Sequence, residues 1–185
     1  MTAAGMIAAA FGTVLAFAGL GMSGHMAGHM VAVAVAAPLL AVGLRPIRIF
    51  PAGPLAMMVA ELLLVWGWHL PAPRDAADSS IAVGLIEQAS FLGAGIALWR
   101  ASLAAPAAGV AALLLTAMHM TLLGALIGLA PRPLYAMMAM HPAPGLDALV
   151  DQQLGGAVML AIGGVSYLAG GLWLLGRVLR EEATA

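Results

Sequence analysis

Cysteine is absent from all 185 residues, which excludes disulfides, Cys-type zinc sites and thiolate copper sites. Lysine is absent as well: the seven basic residues are all arginine, set against eight acids. With no basic tract, nucleic-acid binding is not expected. Charge of either sign is scarce, at 8% of residues, where soluble domains carry roughly a quarter. Met1 to Phe11 has no positive charge, so a cleaved signal peptide is not expected. Clear internal repeats, low-complexity tails, nucleophile–base pairs, phosphate loops and cofactor fingerprints are all missing, and an enzyme is not expected.

What remains is apolar. Hydrophobic residues make up 63% of the chain and the mean hydropathy is +1.04. Such a chain cannot cover itself with a hydrated surface and must take the lipid bilayer as its solvent. A spanning helix needs about 20 mostly apolar residues. Six segments qualify: Ala3–Gly21, His25–Leu44, Pro51–Leu70, Ile81–Trp99, Ala107–Leu129 and Asp151–Leu175. The breaks carry turn punctuation, as in Arg45-Pro46, Pro71-Ala72-Pro73-Arg74-Asp75 and Pro131-Arg132-Pro133. The expectation is an all-α polytopic transmembrane bundle of about six spans, a single domain over residues 1–185. Even-numbered connections and the C-terminus hold Arg45, Arg48, Arg100, Arg177 and Arg180, against Arg74 and Arg132 in odd-numbered ones. The positive-inside rule then puts both termini in the cytoplasm. Gly124, Gly128, Gly155, Gly156, Gly163 and Gly164 read as close-packing positions between helices.

The polar groups fall unevenly on this topology. Met22-Ser23-Gly24-His25-Met26-Ala27-Gly28-His29-Met30 puts two of the five histidines and three methionines within nine residues. Met22, His25, Met26, His29 and Met30 recur at spacings of three and four, a single helical stripe. Imidazole suits several transition metals and thioether sulfur selects soft ones, chiefly Cu(I). A zinc protease would need Glu inside the HxxxH spacing as general base; here Met26 follows His25, so hydrolysis lacks its base. His69 closes the third segment, Glu87 and Gln88 lie about two turns into the fourth, and His119 lies in the fifth. His141, among Met137, Met138 and Met140, falls in the last outer loop, and Asp151-Gln152-Gln153 opens the sixth segment. All of these converge on the outer half of the membrane under the expected orientation. Read singly, Met57 and Met58 are packing, since methionine commonly fills gaps. Glu61, near the middle of the third segment, needs a proton or a hydrogen-bond partner, to serve a proton relay or a structural bond. Asp75, Asp78 and Asp147 read as solvated loop charges.

Several motifs in order resemble the multi-spanning CtaG-type cytochrome c oxidase assembly factors. His25-Met26-Ala27-Gly28-His29-Met30 matches an HMxxHM pattern and is followed by Pro38-Leu39-Leu40. Trp68-His69-Leu70-Pro71 matches WH-x-P, and Glu87 with Phe91-Leu92 resembles a segment written E-H-x-x-F-L. His119 stands ahead of Gly124-Ala125-Leu126, and Asp151-Gln152-Gln153-Leu154-Gly155 resembles a DQQLxG signature. The resemblance runs from about residue 22 to 175. Gln88 stands where the family usually has histidine, and the chain is shorter than typical seven-span members.

The resemblance implies a protein of the bacterial inner membrane that helps load copper into a haem-copper oxidase. Its partners would be an oxidase subunit, a periplasmic copper carrier and the lipid bilayer, and a homo-oligomer is left open. The candidate metal ligands are His25, His29, His69 and His119, with Met22, Met26, Met30 and Met159 as auxiliary sulfurs for Cu(I). Glu87, Gln88, Asp151 and Gln152 are candidates for orienting those ligands, the carboxylates by fixing the tautomer of His69 or His119. Two alternatives stand beside this reading. A membrane cytochrome would ligate haem through a pair such as His29 and His119, and a metal-free scaffold would dock on an oxidase through its small-residue faces.

Overall fold

Proline and glycine punctuate the apolar runs, and the structure, a computed structural model, shows what each break becomes. It describes residues 1–44 and 52–184; Arg45, Arg48, the Arg45-Pro46 break and Pro51 lie outside the described residues. Among the described residues there are eight helices and no strand. They are α1 (Thr2–Ala16), α2 (Gly21–Gly43), α3 (Pro54–Trp68), α4 (Pro71–Ser79), α5 (Ile81–Ala104), α6 (Pro106–Gly128), α7 (Ala136–Met140) and α8 (Ala148–Ala183).

Each of the six expected apolar segments contains a helix among the described residues. Helices α2, α5, α6 and α8 are each long and apolar enough to cross a membrane. Helix α3 meets that test only together with α4, from which it is bent by 71°. The bend has a local cause: Leu70 is held extended by the following Pro71 (ψ 145°), which ends α3 and opens α4 with proline in its first turn. The stretch from Pro71 to Asp75, expected as a break, is therefore the start of a helix. Helix α1 is apolar but 15 residues long, about 22 Å at 1.5 Å per residue, short of a hydrocarbon core of about 30 Å.

Burial is inverted relative to a protein in water. Leu63, Ile81, Met118 and Val165 are largely exposed, whereas His25, His29, Glu61, His69, Arg74, Glu87, Gln88, Thr116, His119, Asp151 and Gln152 are buried. Charged groups turned inward and leucines turned outward mark a molecule whose solvent is hydrocarbon.

Small residues set the helix crossings. A Cβ on Gly124 would lie 2.7 Å from the Leu160 backbone nitrogen and 2.8 Å from the Gly156 carbonyl, so α6 and α8 are in backbone contact. Gly12 and Gly28 face each other in the same way between α1 and α2, where a Cβ on Gly12 would lie 2.8 Å from the Gly28 carbonyl oxygen. Two π-helical stretches interrupt the regular winding, Val31–Ala36 in α2 and Met159–Gly163 in α8. The first ends just before Pro38, which offers no N–H to the ladder and crowds the carbonyl one turn earlier. The first also begins directly after His29 and Met30, and the second begins at Met159.

Candidate metal centre

The four-residue spacing of His25 and His29 stacks their rings on one face of α2. The ring centroids are 4.1 Å apart with the planes near perpendicular. Gln88, on α5, fixes the second ring. Its amide nitrogen donates to the Gly28 carbonyl at 3.3 Å, so its oxygen faces His29 and accepts from Nδ1–H at 2.6 Å. His29 Nε2 is then left carrying a lone pair, and it faces His25 Nε2 at 2.5 Å. Two imidazole nitrogens brought that close need a proton or a cation between or beside them.

The neighbouring charges supply one. Arg74 of α4 reaches in, and its Nη1 donates both to His25 Nε2 and to Glu87 Oε1. Arg74 Nη2 donates to Asp78 Oδ1, one turn along the same helix, at 2.5 Å. Glu87 Oε2 lies 3.5 Å from His25 Nε2, and Oε1 lies 3.6 Å from His29 Nε2. Ligand atoms of His25, His29 and Glu87 all fall within 4.8 Å of one another, and all three residues are buried. A buried set of two imidazoles and a carboxylate has the composition and spacing of a metal site.

His69 stands at the edge of this cluster, its ring 6.4 Å from that of His29, with Phe91 between and beside them. Its Nδ1–H donates to the Val65 carbonyl at 2.7 Å, which leaves Nε2 as the lone-pair nitrogen, buried and without a hydrogen-bond partner. The Tyr135 hydroxyl donates to the His69 carbonyl at 3.1 Å, and burial pushes that phenol up to about 12, so it stays a donor at ordinary pH. A small cavity beside His29 and His69 is lined by Met30, Met120 and Met159, which makes it soft in ligand character. On the other side, a cavity of about 250 Å³ has His25, Arg74 and Asp78 on its wall, together with Met137, Met138 and His141.

The remaining expected residues are placed differently. Both ring nitrogens of His119 are buried without partners, and His119 does not join the cluster of His25, His29 and Glu87. Met22 and Met26 are buried on α2. Asp151 and Gln152 hydrogen-bond backbone rather than any histidine. Asp151 accepts from the Met22, Ser23 and Ala143 N–H groups at 2.7, 3.0 and 3.2 Å, and so caps the start of α2 from a distant helix. Gly21, at φ +59°, leaves room for this: a Cβ there would run into the carboxylate of Asp151. Gln152 accepts from Leu134 N–H at 2.6 Å and donates to the carbonyls of Ile127 and Arg132. Glu87, likewise, engages His25 and His29 rather than His69 or His119.

Three acids expected as free loop charges have structural partners. Asp78 pairs with Arg74, Asp75 accepts from Met137 N–H at 3.1 Å, and Asp147 caps α8 through Leu149 and Val150. Glu61 accepts from the Tyr167 hydroxyl at 2.6 Å, with the Thr116 hydroxyl 3.5 Å from its other oxygen. Two contributors went unread in the sequence. In sequence Arg74 reads as a loop charge, although the Arg74–Asp78 spacing behind Pro71 is a helix pair signal. Met120, which follows His119, carried no signal apart from that adjacency.

The family model of the cytochrome c oxidase caa3 assembly factor (Caa3_CtaG) matches residues 1–181. The chain belongs to this family. Neither the curated proteins nor the solved structures gave a match. Membership of the assembly-factor family implies association with a cytochrome oxidase.

Proposed function

We propose that this assembly factor holds copper, as Cu(I), as cargo on its way to a haem-copper cytochrome c oxidase. The observation that carries the reading is the convergence of His25 Nε2, His29 Nε2 and the Glu87 carboxylate in a buried pocket. Gln88 holds the His29 tautomer that leaves Nε2 free for a metal. The thioethers of Met30 and Met159, with His69 Nε2, form a softer neighbourhood one step deeper, which favours Cu(I) over harder ions. No hydrolytic or redox step is required of the chain: it binds, protects and passes on the ion.

Five of the seven arginines lie on the connections assigned to the cytoplasm. Of the two arginines on the opposing side, Arg74 is buried in ion pairs with Glu87 and Asp78. In a bacterial inner membrane with both termini cytoplasmic, the cavity holding Met137, Met138 and His141 faces the periplasm, where a copper carrier and the oxidase subunit meet it.

Detergent-purified protein loaded anaerobically with Cu(I) should retain near-stoichiometric copper, measured by elemental analysis, and a His25→Ala/His29→Ala variant should lose it. A parent that retains no copper would instead support the scaffold role. Iron with a Soret absorption band would point to the cytochrome.

A further inference from the structure

Three buried polar atoms in the cluster have no hydrogen-bond partner: Arg74 Nε, Asp78 Oδ2 and Glu87 Oε2. Leaving such atoms unsatisfied is costly, and more so when they are charged. They share one geometric cause. The Arg74 guanidinium is stretched between two carboxylates, giving one nitrogen to Glu87 and one to Asp78, so neither acid receives a full two-bond pairing. Arg74 also donates to the His25 nitrogen that a metal would need.

We propose that Arg74 is a displaceable cation that fills the copper position when the ion is absent, and that Asp78 is where it goes when copper arrives. Rotating the guanidinium onto Asp78 would turn a single bond into a bidentate pair, using Nε and Oδ2 together. The same movement frees His25 Nε2 and the whole Glu87 carboxylate. One positive charge leaves the histidine pair as one positive charge enters, so the buried cluster keeps its charge balance throughout. Room for the movement lies beside it, since Arg74 and Asp78 both border the cavity of about 250 Å³, whose wall includes the small residues Ala77 and Gly84. Arg74 thereby sets the affinity: it competes with copper, which keeps the ion releasable to a partner, and it neutralises Glu87 after release.

This inference rests on the copper reading, and the experiment separates the two. Cu(I) affinity is measured by competition with a chromophoric Cu(I) chelator in detergent, for the parent, Arg74→Gln, Asp78→Asn and His25→Ala/His29→Ala. Arg74→Gln removes the competitor and should bind Cu(I) at least about tenfold more tightly, while Asp78→Asn removes the landing site and should bind about tenfold more weakly, the order expected for one hydrogen bond to a charged group. A purely structural Arg74–Asp78 pair would move both variants the same way, and a shared direction or two unchanged affinities overturns the proposal. If Arg74→Gln does not fold, Asp78→Asn decides alone, and an unchanged affinity there overturns it. A parent whose copper binding is indifferent to loss of His25 and His29 overturns the copper reading itself, and the displacement with it.

Discussion

Replacing Asp151 with alanine should loosen the joint that holds the histidine helix in place, and the size of the effect follows from its contacts. The carboxylate accepts from the first N–H groups of α2, at Met22 and Ser23, and from Ala143 in the preceding loop. Loss of a helix cap costs about 0.5–2 kcal/mol; the burial of Asp151 and its bonds to two N–H groups of α2 put this one near the upper end. Ala143 N–H is left unsatisfied in a buried position, at about 1–3 kcal/mol. Together these give a loss of about 3–4 kcal/mol. For a chain of this size a loss of 1 kcal/mol lowers Tm by about 2–4 °C, so a fall of about 10 °C is expected. Thermal unfolding in one detergent at a fixed scan rate reads it, and hydrogen exchange should rise first at residues 22–24. Gly21→Ala pushes a Cβ into the same carboxylate and should destabilise comparably, with the double variant costing less than the sum because both act on one joint. A Tm within about 2 °C of the parent for Asp151→Ala would refute the assignment, since no other residue described at this site offers those three donors a charged acceptor.

Further outcomes test other parts of the site. Gln88→Leu removes the acceptor that fixes His29 and should weaken Cu(I) binding about 10–100-fold while the protein stays folded, as read by chelator competition. Glu61→Gln keeps an oxygen acceptor for the Tyr167 hydroxyl and should change stability by less than about 1 kcal/mol, whereas Glu61→Leu strands that hydroxyl at a cost of about 1–3 kcal/mol; thermal unfolding of the pair gives the comparison. Gly156→Leu should separate α6 from α8 and prevent accumulation of folded protein in the membrane, detected by size-exclusion profile, because the backbones of Gly124, Gly128 and Gly156 are already in contact. Met137→Leu/Met138→Leu/His141→Ala alters the wall of the cavity of about 250 Å³ and should slow Cu(I) uptake in stopped-flow mixing while leaving the final copper content unchanged.

What could be read from the sequence was what periodicity and the price of polarity in lipid control. The His25–His29 stripe was legible because spacing of four fixes a shared helix face whatever the tertiary structure. Glu87 and Gln88 were legible as contributors because ionisable and amide groups two turns into an apolar segment demand partners. Their targets were not legible: nothing local says that Glu87 meets His25 and His29 while Gln88 selects the tautomer of His29. Asp151 and Gln152 show the same limit more sharply. They stand out as polar groups opening an apolar segment, but the groups they satisfy are backbone N–H and carbonyl groups orphaned at a helix start and in a loop, not histidines, and such groups leave no mark in the side-chain sequence. Arg74 was missed for a different reason. Two prolines in three residues suggested a break, and a proline in the first turn of a helix gives the same signal as a proline that ends one.

Gln88 shows how the departure from the family pattern fits the chemistry. A histidine there would be a ligand, a hydrogen-bond acceptor, or both. Glutamine keeps only the hydrogen-bonding part, and it uses both ends of its amide, with oxygen to His29 Nδ1–H and nitrogen to the Gly28 carbonyl. That double attachment ties α5 to α2 at the depth of the cluster and presents His29 Nε2 inward. On the proposed copper reading, ligation would rest on His25, His29 and Glu87, two imidazoles and one carboxylate. Such a set holds a monovalent ion without leaving a large net charge in the bilayer, and without that ion its own arginine can stand in. On that reading, a pocket that releases its cargo is better served by three donors and a competing cation than by a fourth donor, because each further imidazole would deepen the well from which copper has to leave.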